Sequence, residues 1–165
     1  MIVYHGTTLT IEKPMIIKGE LGRDFGFGFY TTNIREQAER WALRRAKMAL
    51  RKKKNIEGAI VNIYDWKHDS NLNKKQFVGT SMDWLEFVVK CRADSSYKHG
   101  YDVVEGKIAN DNVGETVSYV VQGIMRPEDA IERLRFEEIN NQIAFCSNVA
   151  IDSLSFIESY EVGKK

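Results

Sequence analysis

The sequence predicts an α+β fold, in which short strands and amphipathic helices occur in mixed order along one chain. Two observations support this prediction: segments with helical spacing separate the strand-like segments, and the strands are not adjacent in the sequence. The chain has 165 residues, of which 43% are apolar and only two are proline. This composition is typical of a folded globular protein, and the length predicts a single domain over residues 1–165.

The strands are predicted from short apolar segments that are bounded by glycine or polar residues. Four glycines between residues 19 and 28 predict a loop within this pattern. The predicted strands and extended segments are residues 2–4, 14–18, 29–31, 59–66, 101–109, 142–146 and 154–162.

Four helices are predicted from apolar residues at helical spacing and from their start signals. Asn33 is the expected N-cap of the first helix, with Glu36 as its capping-box partner. Thr80 begins the second helix, with Asp83 at the box position, and Pro127 lies in the first turn of the fourth. The predicted helices cover residues 33 to about 53, the segment that starts at 80, 115–122, and 127 to near 135.

Charge is distributed unevenly, although the formal net charge of +1 predicts no overall attraction to nucleic acid or membranes. Between Arg35 and Lys54, nine lysines and arginines accompany only two glutamates. Between Glu128 and Glu138, five acidic residues accompany two arginines. The basic run is open to three interpretations: a solvated helix face, a surface for nucleic-acid phosphates, or a docking surface for an acidic protein.

The cysteines and histidines indicate neither a disulfide framework nor a metal site. Cys91 and Cys146 lie in apolar segments, so we expect two buried free thiols in a reducing compartment. His68 and His99 lack neighbours at ligand spacing. The sequence shows no signal-peptide pattern and no apolar run near the roughly 20 residues of a membrane span. We therefore expect a cytoplasmic protein without membrane contact.

Three short motifs contain the candidate site residues. His5 is followed by Gly6 and Thr7, and a glycine backbone can pair closely with a flat carboxamide because it has no Cβ. Tyr30 lies in Gly-Phe-Tyr-Thr-Thr, and a flat partner on its ring would gain about 0.5–1.5 kcal/mol beyond area burial. Gln142 lies in Asn-Gln-Ile-Ala-Phe, at the head of a predicted strand. Each motif alone is also typical of ordinary packing.

Together and in this order, the three motifs resemble the active-site pattern of ADP-ribosyltransferases of the His-Tyr-Glu type, the diphtheria-toxin and poly(ADP-ribose)-polymerase branch. The residues around the motifs resemble still more closely the DUF3990 family of bacterial proteins in that superfamily. The resemblance extends to residues 101–109 and 154–156. It implies two small, roughly perpendicular β-sheets around a cleft for NAD, with helices on the flanks.

The resemblance also implies a role for each matching residue, with NAD as the substrate. His5, with Thr7 beside it, would hold the adenosine-side ribose, and the backbone of Gly6 would hold the nicotinamide carboxamide. Tyr30 would stack on the nicotinamide ring, and Trp41 would close the sandwich from the following helix. Arg23 is a candidate partner for the pyrophosphate, because a guanidinium suits phosphate oxygens.

Gln142 stands where the family-wide pattern has a glutamate. Either side chain accepts a hydrogen bond from the ribose 2′-hydroxyl, but only glutamate brings negative charge to the oxocarbenium-like transition state. Charge-assisted hydrogen bonds are roughly twice as strong as neutral ones. We therefore expect mono-transfer at best, a slower reaction, a different reaction or none.

Three functional hypotheses follow. The first is an NAD-dependent mono-ADP-ribosyltransferase acting on a macromolecule, which the resemblance implies is a bacterial toxin or effector, often neutralised by a small antitoxin protein. The second is a catalytically inactive module that keeps the fold and binds NAD, nucleic acid or protein. The third is an NAD glycohydrolase or a nucleic-acid ADP-ribosyltransferase. For Arg23 and Asp24, an internal pair between them or a role on the loop surface is the alternative to a phosphate contact by Arg23. Asp102 resembles a family position without an assigned chemistry and is interpreted as a turn anchor.

Overall fold

The protein is described by a computed structural model over residues 1–17, 23–94, 96–109, 111–134 and 140–163. Within these residues the chain forms seven strands and five helices, which confirms the α+β class. The strands are β1 (Ile2–Thr7), β2 (Phe29–Thr31), β3 (Ile60–Trp66), β4 (Lys74–Gln76), β5 (Val103–Gly106), β6 (Gln142–Phe145) and β7 (Leu154–Glu161). The helices are α1 (Arg35–Arg51), α2 (Met82–Ala93), α3 (Asp111–Val121), α4 (Pro127–Leu134) and α5 (Asn148–Asp152).

The strands form two small sheets. The first has the order β1-β3-β7 and is antiparallel, and the second has the order β2-β6-β5-β4. The second sheet is antiparallel except between β4 and β5, which run parallel. The sheets meet where Tyr4 of β1 exchanges backbone hydrogen bonds of 2.8 and 2.9 Å with Thr32, directly after β2.

One core cluster joins the two sheets. Its buried side chains include Tyr64 and Trp66 of β3, and Phe29, Val103 and Phe145 of the second sheet. The rings of Trp66 and Phe145 meet edge to face, with centroids 5.2 Å apart. Aromatic side chains of this size bury large apolar areas, so this cluster stabilises the arrangement of the sheets.

The helices cover the outer sides of the two sheets. Helix α1 lies close to β1 and β3, and its contact face consists of the small residues Ala38 and Ala42. Helices α2, α3 and α4 pack together under β5 and β6 and contribute Trp84, Val117 and Leu134, respectively, to a second core. The candidate site lies between α1 and the group formed by α2, α3 and α4.

Both predicted helix caps that the structure describes are misplaced by one residue. Ile34 occupies the N-cap position of α1 without a side-chain hydrogen bond, and Asn33 instead accepts a bond of 3.1 Å from Asn141. Helix α2 is capped by Ser81, one residue after the predicted Thr80. A tertiary contact thus uses the side chain that the local pattern assigned to capping.

Several predicted boundaries are wrong, and two elements were missed. Strand β5 is shorter than the predicted segment 101–109, and α3 begins at Asp111 instead of residue 115. Strand β4 was missed because it consists of three polar residues without apolar alternation. Helix α5 has only five residues, too few to show helical spacing.

The glycine-rich segment before β2 is described only from Arg23 onward, because residues 18–22 lie outside the described part of the chain. The predicted extended stretch before it contributes an antiparallel bridge between Ile17 and Gly28. The predicted end of α4 near Arg135 also lies outside the described residues, and α4 is described to Leu134.

Both cysteines are free, as predicted, although only Cys91 is buried and Cys146 is half-buried. Burial raises the pKa of each thiol to about 12, so both are protonated and unreactive near neutral pH. Within the described ranges, no helix combines the length and the apolar character that a membrane crossing needs.

Gly6 sets the distance between β1 and α1, so Gly6→Ala is expected to lower the free energy of unfolding. A Cβ on Gly6 would lie 2.0 Å from the carbonyl oxygen of Ala38, and backbone would have to shift. Overpacking of this kind costs about 1–3 kcal/mol, which urea unfolding would measure. In the control variant Gly114→Ala, the new methyl group would lie 3.4 Å from its nearest neighbour, so little loss is expected. Equal stability of the two variants would contradict the close contact.

Candidate functional site

A cavity of about 550 Å³ opens where β1, the loop before β2, α1 and β6 come together. Six of the seven residues that the sequence proposed for cofactor binding or catalysis line this cavity, although they come from distant parts of the chain. They are His5, Thr7, Arg23, Tyr30, Trp41 and Gln142. The seventh, Gly6, does not line the cavity and lies against α1.

His5 is fixed as a neutral imidazole. Its Nδ1 lies 2.6 Å from the carbonyl oxygen of Tyr30, and a carbonyl only accepts, so Nδ1 carries the proton. Its ring stacks on Phe29 with centroids 4.3 Å apart. Burial lowers the pKa of His5 to about 3, with a further contribution from the charge of Arg45. The remaining nitrogen, Nε2, is therefore a hydrogen-bond acceptor.

The backbone of Gly6 faces the edge of β1 that is turned away from β3. Tyr4 exchanges both of its backbone bonds with Thr32 on that edge, and residues two apart in a strand point the same way. By the same register, the N–H and C=O groups of Gly6 point toward the β2 side of β1, although Gly6 does not itself line the cavity. The absence of Cβ serves the close packing on α1, which sequence reasoning did not anticipate.

Tyr30 is held by its hydroxyl group. The hydroxyl donates to the carbonyl of Gly26 at 2.6 Å and accepts from the N–H of Phe25 at 2.9 Å. Burial raises its pKa well above the ordinary value, so the phenol stays neutral. The guanidinium carbon of Arg23 lies 4.8 Å from the ring centroid, over the ring face. A stacked ligand would have to replace Arg23 there.

The amide of Gln142 has a defined orientation. Its Nε2 donates to Oδ2 of Asp24 at 2.9 Å and to the carbonyl oxygen of Lys107 at 3.3 Å. Both partners only accept, so the nitrogen must occupy this position. The amide oxygen Oε1 is left as the acceptor that Gln142 brings to the cavity.

Asp24 is the centre of the polar network behind Gln142. The buried carboxylate forms an ion pair with Arg92 of α2, with Nε at 2.9 Å and Nη2 in closer contact. Its second oxygen accepts from the N–H of Ala109 at 2.8 Å and from Gln142. The predicted alternatives, a pair with Arg23 or a place on the loop surface, are both wrong.

Two positioning residues were missed by sequence reasoning. Arg92 is separated from Asp24 by 68 positions, and no local pattern connects them. Gln37 of α1 is buried and binds the backbone of Asn141, the residue before β6. Its Nε2 donates to the carbonyl of Asn141 at 2.6 Å, and its Oε1 accepts from the N–H of Asn141 at 3.1 Å. A polar residue inside the contact face of α1 was the signal that could have found Gln37.

Asp102 anchors two loops, in agreement with its interpretation as a turn anchor. Its carboxylate accepts from the N–H of Asn73 at 2.8 Å and from the hydroxyl of Ser147 at 2.6 Å. It does not line the cavity. Among the described residues, no group of three or more His, Cys, Asp or Glu side chains could hold a metal ion.

The cavity is strongly cationic. Six of its lining residues are lysine or arginine, and the single acid among the described lining residues is Asp24. Four of the six belong to the basic run: Arg44, Arg45, Lys52 and Lys54. The basic run therefore forms part of a cavity wall as well as a solvated face, which suits an anionic ligand.

Comparison with known proteins agrees with one part of the resemblance. Residues 1–156 match the model of a family described as "Protein of unknown function (DUF3990)". The chain belongs to the DUF3990 family. No curated protein and no solved structure matches it. The family description names no activity, so functional conclusions depend on the geometry of the cavity.

Breaking the ion pair of Asp24 is expected to destabilise the fold much more than breaking an exposed ion pair does. Asp24→Asn would leave the Arg92 guanidinium, whose side chain is 21% exposed, without its counter-charge. Breaking a buried pair costs about 3–5 kcal/mol, measurable by urea unfolding. The matched control is Asp129→Asn, because Asp129 pairs with Arg126 at side-chain exposures of 56% and 77% and should lose at most about 1 kcal/mol. Similar losses in both variants would refute the central position of Asp24.

The imidazole of His5 is expected to stay neutral, with its proton on Nδ1, from about pH 7 down to about pH 4.5. Its pKa is lowered to about 3 in the folded chain from 6.5, so acid favours the unfolded state. The contribution of His5 to stability is thus complete above pH 6.5 and is lost as the pH falls toward 3. Nitrogen-15 NMR of the ring would show either this tautomer or, against the prediction, a cation or an Nε2–H form.

Proposed function

We propose that this protein is an NAD-dependent mono-ADP-ribosyltransferase that modifies a macromolecular acceptor. The observation that carries the proposal is the convergence of His5, Tyr30 and Gln142, from three distant segments, on one cavity of about 550 Å³. This volume falls within the usual range of small-molecule sites. These are also the three positions at which the sequence resembles ADP-ribosyltransferases.

In the proposed reaction, the bond between the nicotinamide nitrogen and C1′ of the ribose breaks. Nicotinamide leaves with the bonding electron pair, and the sugar passes through an oxocarbenium-like state. A nucleophilic atom of the acceptor then forms a bond to C1′ and loses its proton. The protein would hold the two ends of NAD in place and stabilise the developing positive charge.

Each wall of the cavity has a suitable group for one part of NAD. Nε2 of His5 would accept a hydrogen bond from a ribose hydroxyl, which its neutral state allows. The N–H and C=O of Gly6 would pair with the carboxamide, and the ring of Tyr30 would stack on nicotinamide. Trp41, half-buried in the wall formed by α1, would cover the other side of the ligand.

Gln142 and Asp24 together would perform the task that a glutamate performs in the wider pattern. Oε1 of Gln142 would accept from the ribose 2′-hydroxyl, while Nε2 stays bonded to Asp24. Asp24 adds a buried negative charge 2.9 Å behind the amide, partly offset by Arg92. Less negative charge would reach the transition state than with glutamate, so we expect slow transfer of single ADP-ribose units.

Arg23 would change partners when NAD binds. Its guanidinium lies over the face of Tyr30, where the nicotinamide ring would stack. The pyrophosphate of NAD offers oxygen acceptors that suit a guanidinium better than an aromatic ring does. We therefore propose that Arg23 leaves the ring and binds the pyrophosphate.

The biological setting remains a prediction that the family resemblance implies. We propose a bacterial toxin or effector that acts in the cytoplasm and is neutralised by a small antitoxin protein. Its support is the sequence resemblance to toxin-like ADP-ribosyltransferases.

Two observations favour a second candidate function, an NAD-binding module without transferase activity. The face of Tyr30 is covered by Arg23, and position 142 carries no charge of its own. Such a module would bind NAD in the same cavity but would not release nicotinamide. The same assay distinguishes the two functions.

Purified protein is expected to release nicotinamide from NAD when a cell lysate supplies the acceptor, and Gln142→Ala should reduce the rate about tenfold. A hydrogen bond in the site is worth about 0.5–1.5 kcal/mol, and 1.4 kcal/mol corresponds to about a factor of ten in rate. Tyr30→Ala should abolish NAD binding, which calorimetry would measure. Thermal melts must accompany Tyr30→Ala, because that substitution also removes a buried ring from the core.

Two substitutions outside the cavity serve as matched controls. Gln122→Ala removes a glutamine and Tyr97→Ala removes a tyrosine, and neither residue lines the cavity, so neither change should alter nicotinamide release. Binding of NAD without release would favour the binding module. Neither binding nor release at millimolar NAD would refute the proposed function.

A further inference from the structure

We propose that the acceptor is a single-stranded nucleic acid, bound along the cationic face of α1 at the mouth of the cavity. The proposal deepens the proposed function and rests on it, because it names the class of molecule that receives ADP-ribose. It is carried by the position, exposure and spacing of the α1 side chains.

The mouth of the cavity is formed by one stripe of α1. Trp41, Arg44, Arg45, Met48 and Lys52 follow one another at short intervals that match the helical repeat, and all of them line the cavity. This spacing places them on one helix face. Arg44, Met48 and Lys52 are exposed, so a large ligand can reach this stripe from solvent.

The cations of this stripe exceed what NAD requires. NAD has one pyrophosphate with two phosphate groups, and its proposed partner Arg23 lies deeper, over the ring of Tyr30. Arg92 is already paired with Asp24. The outer wall adds four further cations. The positive surface continues along α1 and just beyond its end through Arg40, Lys47, Arg51 and Lys53. A longer polyanion would use this surface, since binding of nucleic acid gains from each neutralised phosphate.

An aromatic ring within the stripe favours nucleic acid over an acidic protein. Trp41 is half-buried and precedes Arg44 and Arg45 by about one helical turn. A tryptophan beside arginines is the combination on which unpaired bases stack while the backbone is neutralised. An indole ring has two faces, so Trp41 would cover NAD with one face and stack on an unpaired base with the other. An acidic peptide would use the cations alone.

The depth of the cavity favours an unpaired strand. His5 and Tyr30, which would hold NAD, are 3% and 6% exposed, so the reacting carbon would lie below the surface. A base or a terminal group must leave its stack to reach such a position. In the proposed step, a nitrogen or oxygen atom of the strand bonds to C1′, nicotinamide departs with its electron pair, and the attacking atom releases its proton to solvent.

The test measures binding of fluorescent single-stranded DNA and RNA oligonucleotides by anisotropy over a range of salt concentrations. The double variant Arg44→Gln/Lys52→Gln should weaken binding at least about tenfold and lower the salt slope by about 0.7 for each phosphate that is no longer neutralised. The control, Lys67→Gln/Lys98→Gln, removes the same charge from exposed lysines outside the cavity and should bind as the wild type does. A thermal melt of each variant establishes that it is folded.

A second arm follows radioactive ADP-ribose from labelled NAD in the wild-type protein, with the oligonucleotides and a cell lysate offered together. Label on the oligonucleotide supports the proposal. Label on protein alone, or equally weakened binding in the two double variants, would overturn it. Nicotinamide release without any oligonucleotide binding would also overturn the nucleic-acid proposal while leaving the proposed function intact. Absence of nicotinamide release would refute both the nucleic-acid proposal and the proposed transferase function.

Discussion

The site depends on one buried carboxylate. Asp24 joins α2 through Arg92, the segment after β5 through Ala109, and β6 through Gln142. A buried charge is tolerated only when it is paired and its remaining acceptors are occupied, and these three donors meet that condition. The same interaction turns the amide of Gln142 so that its oxygen faces the cavity. Stability and site geometry are therefore coupled at Asp24.

Helix α1 combines two tasks on different faces. Its alanines and Gln37 contact the β-sheets, and Gly6 lets the helix lie against β1 without a side chain between them. Its adjacent face carries Trp41 and the arginines that line the cavity. A shift of α1 would thus alter the cavity wall, which explains why the small residues at this contact matter for the site.

Sequence reasoning predicted the strongly apolar elements and six of the residues that line the cavity. Strands such as β3 and β6 are rich in apolar residues, and His5, Tyr30 and Gln142 were found because they belong to an ordered set of motifs. The predictions from sequence were wrong or missing where a tertiary contact determines the role of a side chain or the position of a strand. Asn33 bonds to Asn141 instead of capping α1, polar β4 is held by its parallel neighbour, and Arg92 reaches Asp24 across 68 positions. Contacts between residues so far apart in the chain leave no periodic pattern in the sequence.

A crystal structure with a non-hydrolysable NAD analogue bound at saturating concentration would test the proposed NAD site most directly. We expect the nicotinamide ring on the face of Tyr30, its carboxamide at the backbone of Gly6, and Oε1 of Gln142 within hydrogen-bond distance of the ribose 2′-hydroxyl. Arg23 should have left Tyr30 for the pyrophosphate. An analogue bound outside this cavity, or a cavity that stays empty at saturation, would contradict the NAD site.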